Sequence, residues 1–128
     1  MNIGHAADQT GLGPKTLRYY EEIGLVLPGR AENGYRDYSS DQVHQLKFLA
    51  RARSLGFSIV ECRALLSLYQ DTSRASSDVR KLAKGHLGQI EAKISELKSM
   101  HSTLSHLISA CHGDDRPDCP ILDELAGK

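Results

Sequence analysis

A chain of 128 residues has room for one ordinary domain, or for a small domain with an extended element, and little for a large enzyme core. Hydrophobic residues make up 40% and charged residues 25%, the balance of a soluble globular protein, and no apolar run approaches the roughly 20 residues that cross a membrane. The formal net charge is zero, which by itself speaks against nucleic acid, but Asp114, Asp115, Asp118, Asp123 and Glu124 gather near the end against only Arg116 and Lys128, so the remainder is mildly basic.

The start, Met1-Asn2-Ile3-Gly4-His5, has neither the cationic segment nor the apolar run of a secretory leader, which makes the cytoplasm the expected compartment. Residues 2–9 predict a short helix, and Thr10-Gly11-Leu12-Gly13-Pro14 a turn. Pro14 suits the first position of a second helix, where its missing N–H costs nothing, and Gly24 suits its end. Two short helices across a Gly-containing turn form the helix-turn-helix pattern. In that pattern the second helix presents its first residues to the major groove, so Lys15, Thr16 and Arg18 are placed to reach bases or phosphates. Arg18 is the first candidate, because a guanidinium takes guanine or phosphate bidentately. Tyr20 offers a phenol to a phosphate while Tyr19 packs inward; the alternative is that both are core aromatics and Arg18 a solvated charge.

Asn33-Gly34, followed by Tyr35-Arg36-Asp37-Tyr38, signals a β-hairpin after the break at Pro28-Gly29. This is a wing in which Tyr35 faces opposite to Arg36 and Tyr38. Ser39 with Gln42, and Ser58 with Glu61, read as capping boxes opening two further helices. Val43, Leu46, Leu49, Ala50 and Arg53 follow the first. Ile59, Cys62, Leu65, Leu66 and Tyr69 line the second, with Cys62 a small buried hydrophobe. Past a polar linker, Ala83, Leu87, Ile90, Ile94, Leu97, Leu104 and Ile108 recur at alternating spacings of four and three, with His101 in the same series. That is a coiled-coil seam, and with no second helix of matching length its expected partner is another copy of the chain in a two-fold dimer. The seam does not decide whether the pair is antiparallel.

The expected fold is therefore mainly α: a winged helix-turn-helix DNA-binding head over residues 1–70, a linker at 71–75, a long dimerising helix at 76–110, and a loop with a short terminal helix at 111–128. Cys111 and Cys119 bracket that loop. Neighbouring thiols in a reducing compartment suggest metal or redox chemistry, and a thiolate pair suits a soft ion in a linear site better than the four-ligand tetrahedron of zinc. A reversible disulfide is the alternative. His112 is either a third ligand or a solvent-facing imidazole. A thiol oxidoreductase is disfavoured, since the cysteines form no Cys-x-x-Cys motif.

Thr16-Leu17-Arg18-Tyr19-Tyr20-Glu21, Gly24-Leu25, Asn33-Gly34-Tyr35-Arg36 and Gly56-Phe57, in this order, resemble the MerR family of transcription activators along nearly the whole chain. The tail from Ala110-Cys111 to Cys119-Pro120 is similar to the copper-responsive branch of that family. The resemblance implies no enzyme but a homodimer on double-stranded promoter DNA, with RNA polymerase engaged only through the DNA. Metal would then bend and undertwist an overlong promoter spacer, a distortion that costs about 1–6 kcal/mol by elastic reckoning. It also implies that Tyr35 and Arg36 touch the DNA backbone, that Arg53 holds a phosphate, and that Cys111 and Cys119 hold Cu(I), with Ag(I) and Au(I) as mimics. Ser76 matches the position where copper sensors have serine and divalent-ion sensors cysteine. A zinc, cadmium or lead sensor, or a thiol redox regulator, are the competing readings.

Overall fold

The computed structural model describes residues 1–127. They fold, mainly as helix, in the order α1 (Ile3–Thr10), α2 (Pro14–Glu22), β1 (Gly29–Arg30), β2 (Arg36–Asp37), α3 (Ser40–Ser54), α4 (Ile59–Gln70), α5 (Ser76–Ala110) and α6 (Pro120–Leu125). Contacts divide the chain into two compact units, Met1–Leu82 and the stretch from Ala83 onward. No helix among the described residues is long and apolar enough to cross a membrane.

In the first unit, the Asn2 side chain caps α1 by accepting from the His5 N–H at 2.9 Å. Gly11 ends α1 in the left-handed region at φ 76°, a conformation that costs glycine nothing and turns the chain toward α2. Packing then centres on α3, which lies against both α1 and α4, while α1 also meets α2. Val43, Leu46, Leu49 and Ala52 of α3 are buried, each three residues from the last. Ala50 is half-buried and Arg53 exposed, so the buried series leaves the expected positions at Ala52. Ala6, Leu46, Leu49 and Cys62 have no exposed surface at all, and the small Ala6 lets α1 approach closely.

Both capping boxes are present. Ser39 Oγ accepts from the Gln42 N–H at 3.2 Å and Gln42 Oε1 from the Ser39 N–H at 2.8 Å. Ser58 and Glu61 repeat the pair at 3.1 and 2.8 Å. Each fixes the residue at which its helix begins. The Gln42 amide also donates to the Leu27 carbonyl, tying the start of α3 to the segment before the wing. Tyr69 is half exposed, yet its ring stacks on Phe48 with centroids 4.7 Å apart, which joins the end of α4 to α3.

The wing is an antiparallel pair with Gly29 opposite Asp37 and Arg30 opposite Arg36. Its first strand falls at the expected break, because the turn needs three residues rather than two. The Ala31 carbonyl accepts from the Gly34 N–H at 2.8 Å, and the Ala31 N–H donates to the Tyr35 carbonyl at 2.8 Å. Gly34 at φ 82° supplies the left-handed residue that closes such a three-residue loop. Exposure then alternates as expected: Tyr35 is 73% exposed, Arg36 is half-buried and Tyr38 is buried at the wing's root.

In the second unit, Leu87, Ile90, Ile94, Leu97, Leu104 and Ile108 of α5 are all exposed on the single chain, with Met100 beside them. α6 is turned back so that its Glu124 shares a shallow cavity of about 360 Å³ with Ser102, His106 and Leu107 of α5.

Truncating the centre of this core has a calculable cost. Leu46→Ala should destabilise the chain by about 2–5 kcal/mol, Ser58→Ala by about 1 kcal/mol through loss of the cap, and Val60→Ala, at a position 80% exposed, by almost nothing. Urea denaturation followed by circular dichroism ranks the three.

Candidate nucleic-acid interface and metal centre

The second helix of the head meets solvent at its first turn. Pro14 occupies its first position and Gly13 its cap, so the turn begins without a side chain folded across its N–H groups. Lys15 and Arg18 are exposed and Thr16 is half-buried, which leaves the two cations on the outer face. The tyrosines reverse the expectation: Tyr20 is 3% exposed and Tyr19 is 47% exposed. Leu17 sets the inward face, and in a helix of 3.6 residues per turn the residue three positions on returns to it, while the residue two positions on points away. Tyr20 is thus a core residue, and burial raises its phenol above the usual tyrosine range. Tyr19 is the aromatic on the outer face.

The wing is held to this helix by one carboxylate. Glu21 accepts from Arg30 Nη2 at 2.8 Å and from Arg36 Nε at 3.0 Å. Arg30 and Arg36 face each other across the strands, a like-charge pairing that is unfavourable unless an anion lies between. Glu21, with a side chain only 18% exposed, is that anion. Burial, and next the Glu21 charge, push the Tyr38 phenol up at the wing's root. Arg53 is exposed and donates from Nη1 to the Phe57 carbonyl at 2.7 Å, across the turn from α3 to α4. Arg63 donates to the Ile23 carbonyl at 2.7 Å and so satisfies the end of α2. Sequence reasoning missed Arg30 and Arg63. Register would have found Arg30, but nothing local signals Arg63, forty residues from its acceptor.

The thiols of the second unit stand at two helix ends. The Cys111 N–H donates to the Leu107 carbonyl at 3.0 Å as the chain leaves α5. Cys119 is the cap of α6, its carbonyl accepting from the Asp123 N–H at 3.0 Å, and Pro120 opens that helix. Both are free and half-buried. Between them His112 is exposed, Gly113 takes φ 64°, and Asp114 binds Arg116 through its side chain at 2.8 Å and its N–H at 2.9 Å. No group of three or more His, Cys, Asp and Glu side chains converges among the described residues. The donors within this loop are the Cys111 and Cys119 thiols at its ends, with the His112 imidazole and the carboxylates of Asp114, Asp115 and Asp118 between them. Cys62 stands apart in the head core, its thiol pushed up by burial. Ser76 is exposed at the first position of α5.

Two short helices with the second facing outward, a wing pinned to it and a following helix pair define a winged helix-turn-helix DNA-binding protein. Residues 1–68 match the MerR HTH family regulatory proteins, and residues 43–107 match the family described as MerR, DNA binding. The chain belongs to the MerR family of transcription regulators. It is 59% identical over 126 residues to the HTH-type transcriptional regulator HmrR of Rhizobium leguminosarum bv. viciae, covering 98% of each chain. It is 47% identical to the regulator CueR of Salmonella typhimurium, covering 99% of this chain and 93% of the relative. The crystal structure of the regulator PbrR691 from Ralstonia metallidurans CH34, in complex with lead(II), superposes with a TM-score of 0.84 at 29% identity, covering 98% of each chain. These relatives regulate transcription and are not enzymes.

The three cysteines should separate chemically. In the folded chain Cys111 and Cys119 should react with iodoacetamide at least about tenfold faster than Cys62, and denaturation should equalise them. Burial favours the neutral Cys62 thiol in the folded state, so the stability it contributes is whole below the ordinary cysteine range and is lost as pH rises toward the raised value. Cys62 should accordingly stay slow even at about pH 8.5. Mass spectrometry of the alkylated peptides reads all three.

Proposed function

We propose that this chain is a copper(I)-responsive transcription activator that works as a homodimer on promoter DNA. The observation that carries the reading is the pair of free, half-buried thiols closing one loop, Cys111 at the exit of α5 and Cys119 at the cap of α6. Thiolates select soft ions, and two of them suffice for a linear site of the kind copper(I), silver(I) and gold(I) accept. Ser76, at the head of α5, supplies no thiol that would raise the ligand count toward zinc's four.

The same reading extends to the remaining parts of the chain. The exposed stripe from Leu87 to Ile108 repeats at heptad spacing and offers a second copy the face it needs. Lys15, Thr16 and Arg18 would read the major groove, with Tyr35, Arg36 and Arg53 on the backbone to either side. The ion would shift the dimer between two ways of deforming the promoter, and polymerase would respond to the deformation. A cytoplasmic location suits both the reduced thiols and the DNA.

A divalent-ion sensor is the second reading, favoured by the likeness to the lead-complexed regulator. Anaerobic titration with buffered copper(I) and, separately, with zinc(II) decides between them. The copper reading expects one copper(I) bound per chain with activation of in vitro transcription. Cys111→Ser or Cys119→Ser should abolish both and leave operator binding intact. Ser76→Cys should bring in a response to zinc or lead. Activation of the unaltered chain by zinc, with no copper(I) response, would move it to the divalent class.

A further inference from the structure

Resting on the reading that Arg36 lies on the DNA backbone, we infer that Glu21 is a positioning residue for DNA binding: it orients the Arg36 guanidinium so that the terminal nitrogens of that group face a phosphate of the bound duplex. An acidic side chain on the helix that reads DNA would ordinarily weaken binding, because it repels the backbone. The geometry gives Glu21 a different part. Its Oε1 takes Arg30 Nη2 at 2.8 Å and its Oε2 takes Arg36 Nε at 3.0 Å, so one carboxylate spans both strands of the wing. Its side chain is 18% exposed against 50% and 28% for the two arginines, so the acid lies beneath the cations and the cations lie outward.

The bonding leaves Arg36 half used. Nε is bound to Glu21, and among the described residues neither terminal nitrogen has an acceptor. A guanidinium held through Nε has lost most of its rotamer freedom, and its remaining donors are a fork of the shape a phosphate accepts. The group of three carries one net positive charge, which still releases counterion on binding. Its orientation is set before the duplex arrives, so little ordering cost falls on the binding step. Arg30, paired through Nη2 at the opposite register position, keeps the carboxylate from swinging away.

The test uses the full chain and two labelled duplexes, one selected by this chain from random-sequence DNA and the other a scrambled version, with fluorescence anisotropy measured over a range of potassium chloride concentrations. E21A and R36A should each weaken binding to both duplexes by about fivefold, and R36A should lower the dependence of binding on log salt concentration by about one counterion. E21A/R36A should be no weaker than R36A alone, since Glu21 acts only through Arg36. E21Q, which keeps the acceptor oxygen and the volume but not the charge, should fall between the unaltered chain and E21A. Tighter or unchanged binding by E21A would overturn the inference and leave Glu21 a solvated acid. So would additive losses in the double variant.

Discussion

The geometry of the head depends on one apolar face of α3. Val43, Leu46, Leu49 and Ala52 lie along it, and α1 and α4 both pack against α3. The position of α2 follows, because α2 is joined to α1 through a turn that Gly11 makes tight, and Leu17 and Tyr20 have only the core to enter. Once those two are buried, rotation of α2 about its axis is fixed, and with it the outward direction of Lys15 and Arg18. The solvent-facing side of α2 is in this sense what remains after the core has been satisfied.

The wing is placed by polar contacts instead. It has two residues per strand, too few for a ribbon to hold itself against a helix. Tyr38 anchors its base in the core, and the Glu21 carboxylate fixes its strands to α2. A buried aromatic at the root and a shared anion above it leave the outer loop, with Tyr35 at its end, projecting into solvent. In this head of a MerR-family chain, α2 and the wing are thus tied to one another through Glu21, with Leu17, Tyr20 and Tyr38 in the core and Lys15, Arg18 and Arg30 in solvent.

Much of this was legible in the sequence wherever the signal is local. Ser39 with Gln42 and Ser58 with Glu61 mark helix starts because the reciprocal bonds lie within a single turn, and both were found where the spacing put them. The limits of α5 at Ser76 and Ala110 follow from a polar linker on one side and a loop of Gly, Asp and Pro on the other. Tyr19 and Tyr20 lie on the opposite sides of α2 from those the sequence suggests. A nine-residue helix has too few apolar positions to fix its phase, and one residue of error turns a side chain by about 100°. The place of the first wing strand at Gly29–Arg30 was less legible, because Asn33-Gly34 announces a hairpin without stating whether its loop holds two residues or three. The Glu21 clamp and the Arg63 contact join residues nine to forty positions apart, and pattern within a helix or strand carries no information about them.

α6 is six residues long, well short of the length at which a helix persists in water by itself. Its first turn is set by a backbone whose cap is Cys119, and the chain reaches that cap from Cys111 through a loop with no regular structure. Drawing the two sulfurs together would close that loop and remove most of the freedom of the residues between, at an entropic cost that grows only slowly with loop length. Anything that held both thiols would therefore steady the first turn of α6 from outside, adding persistence to a helix with few hydrogen bonds of its own. The same reagent would be felt twice, as a bond to sulfur and as a change in how much of the terminal segment is helix.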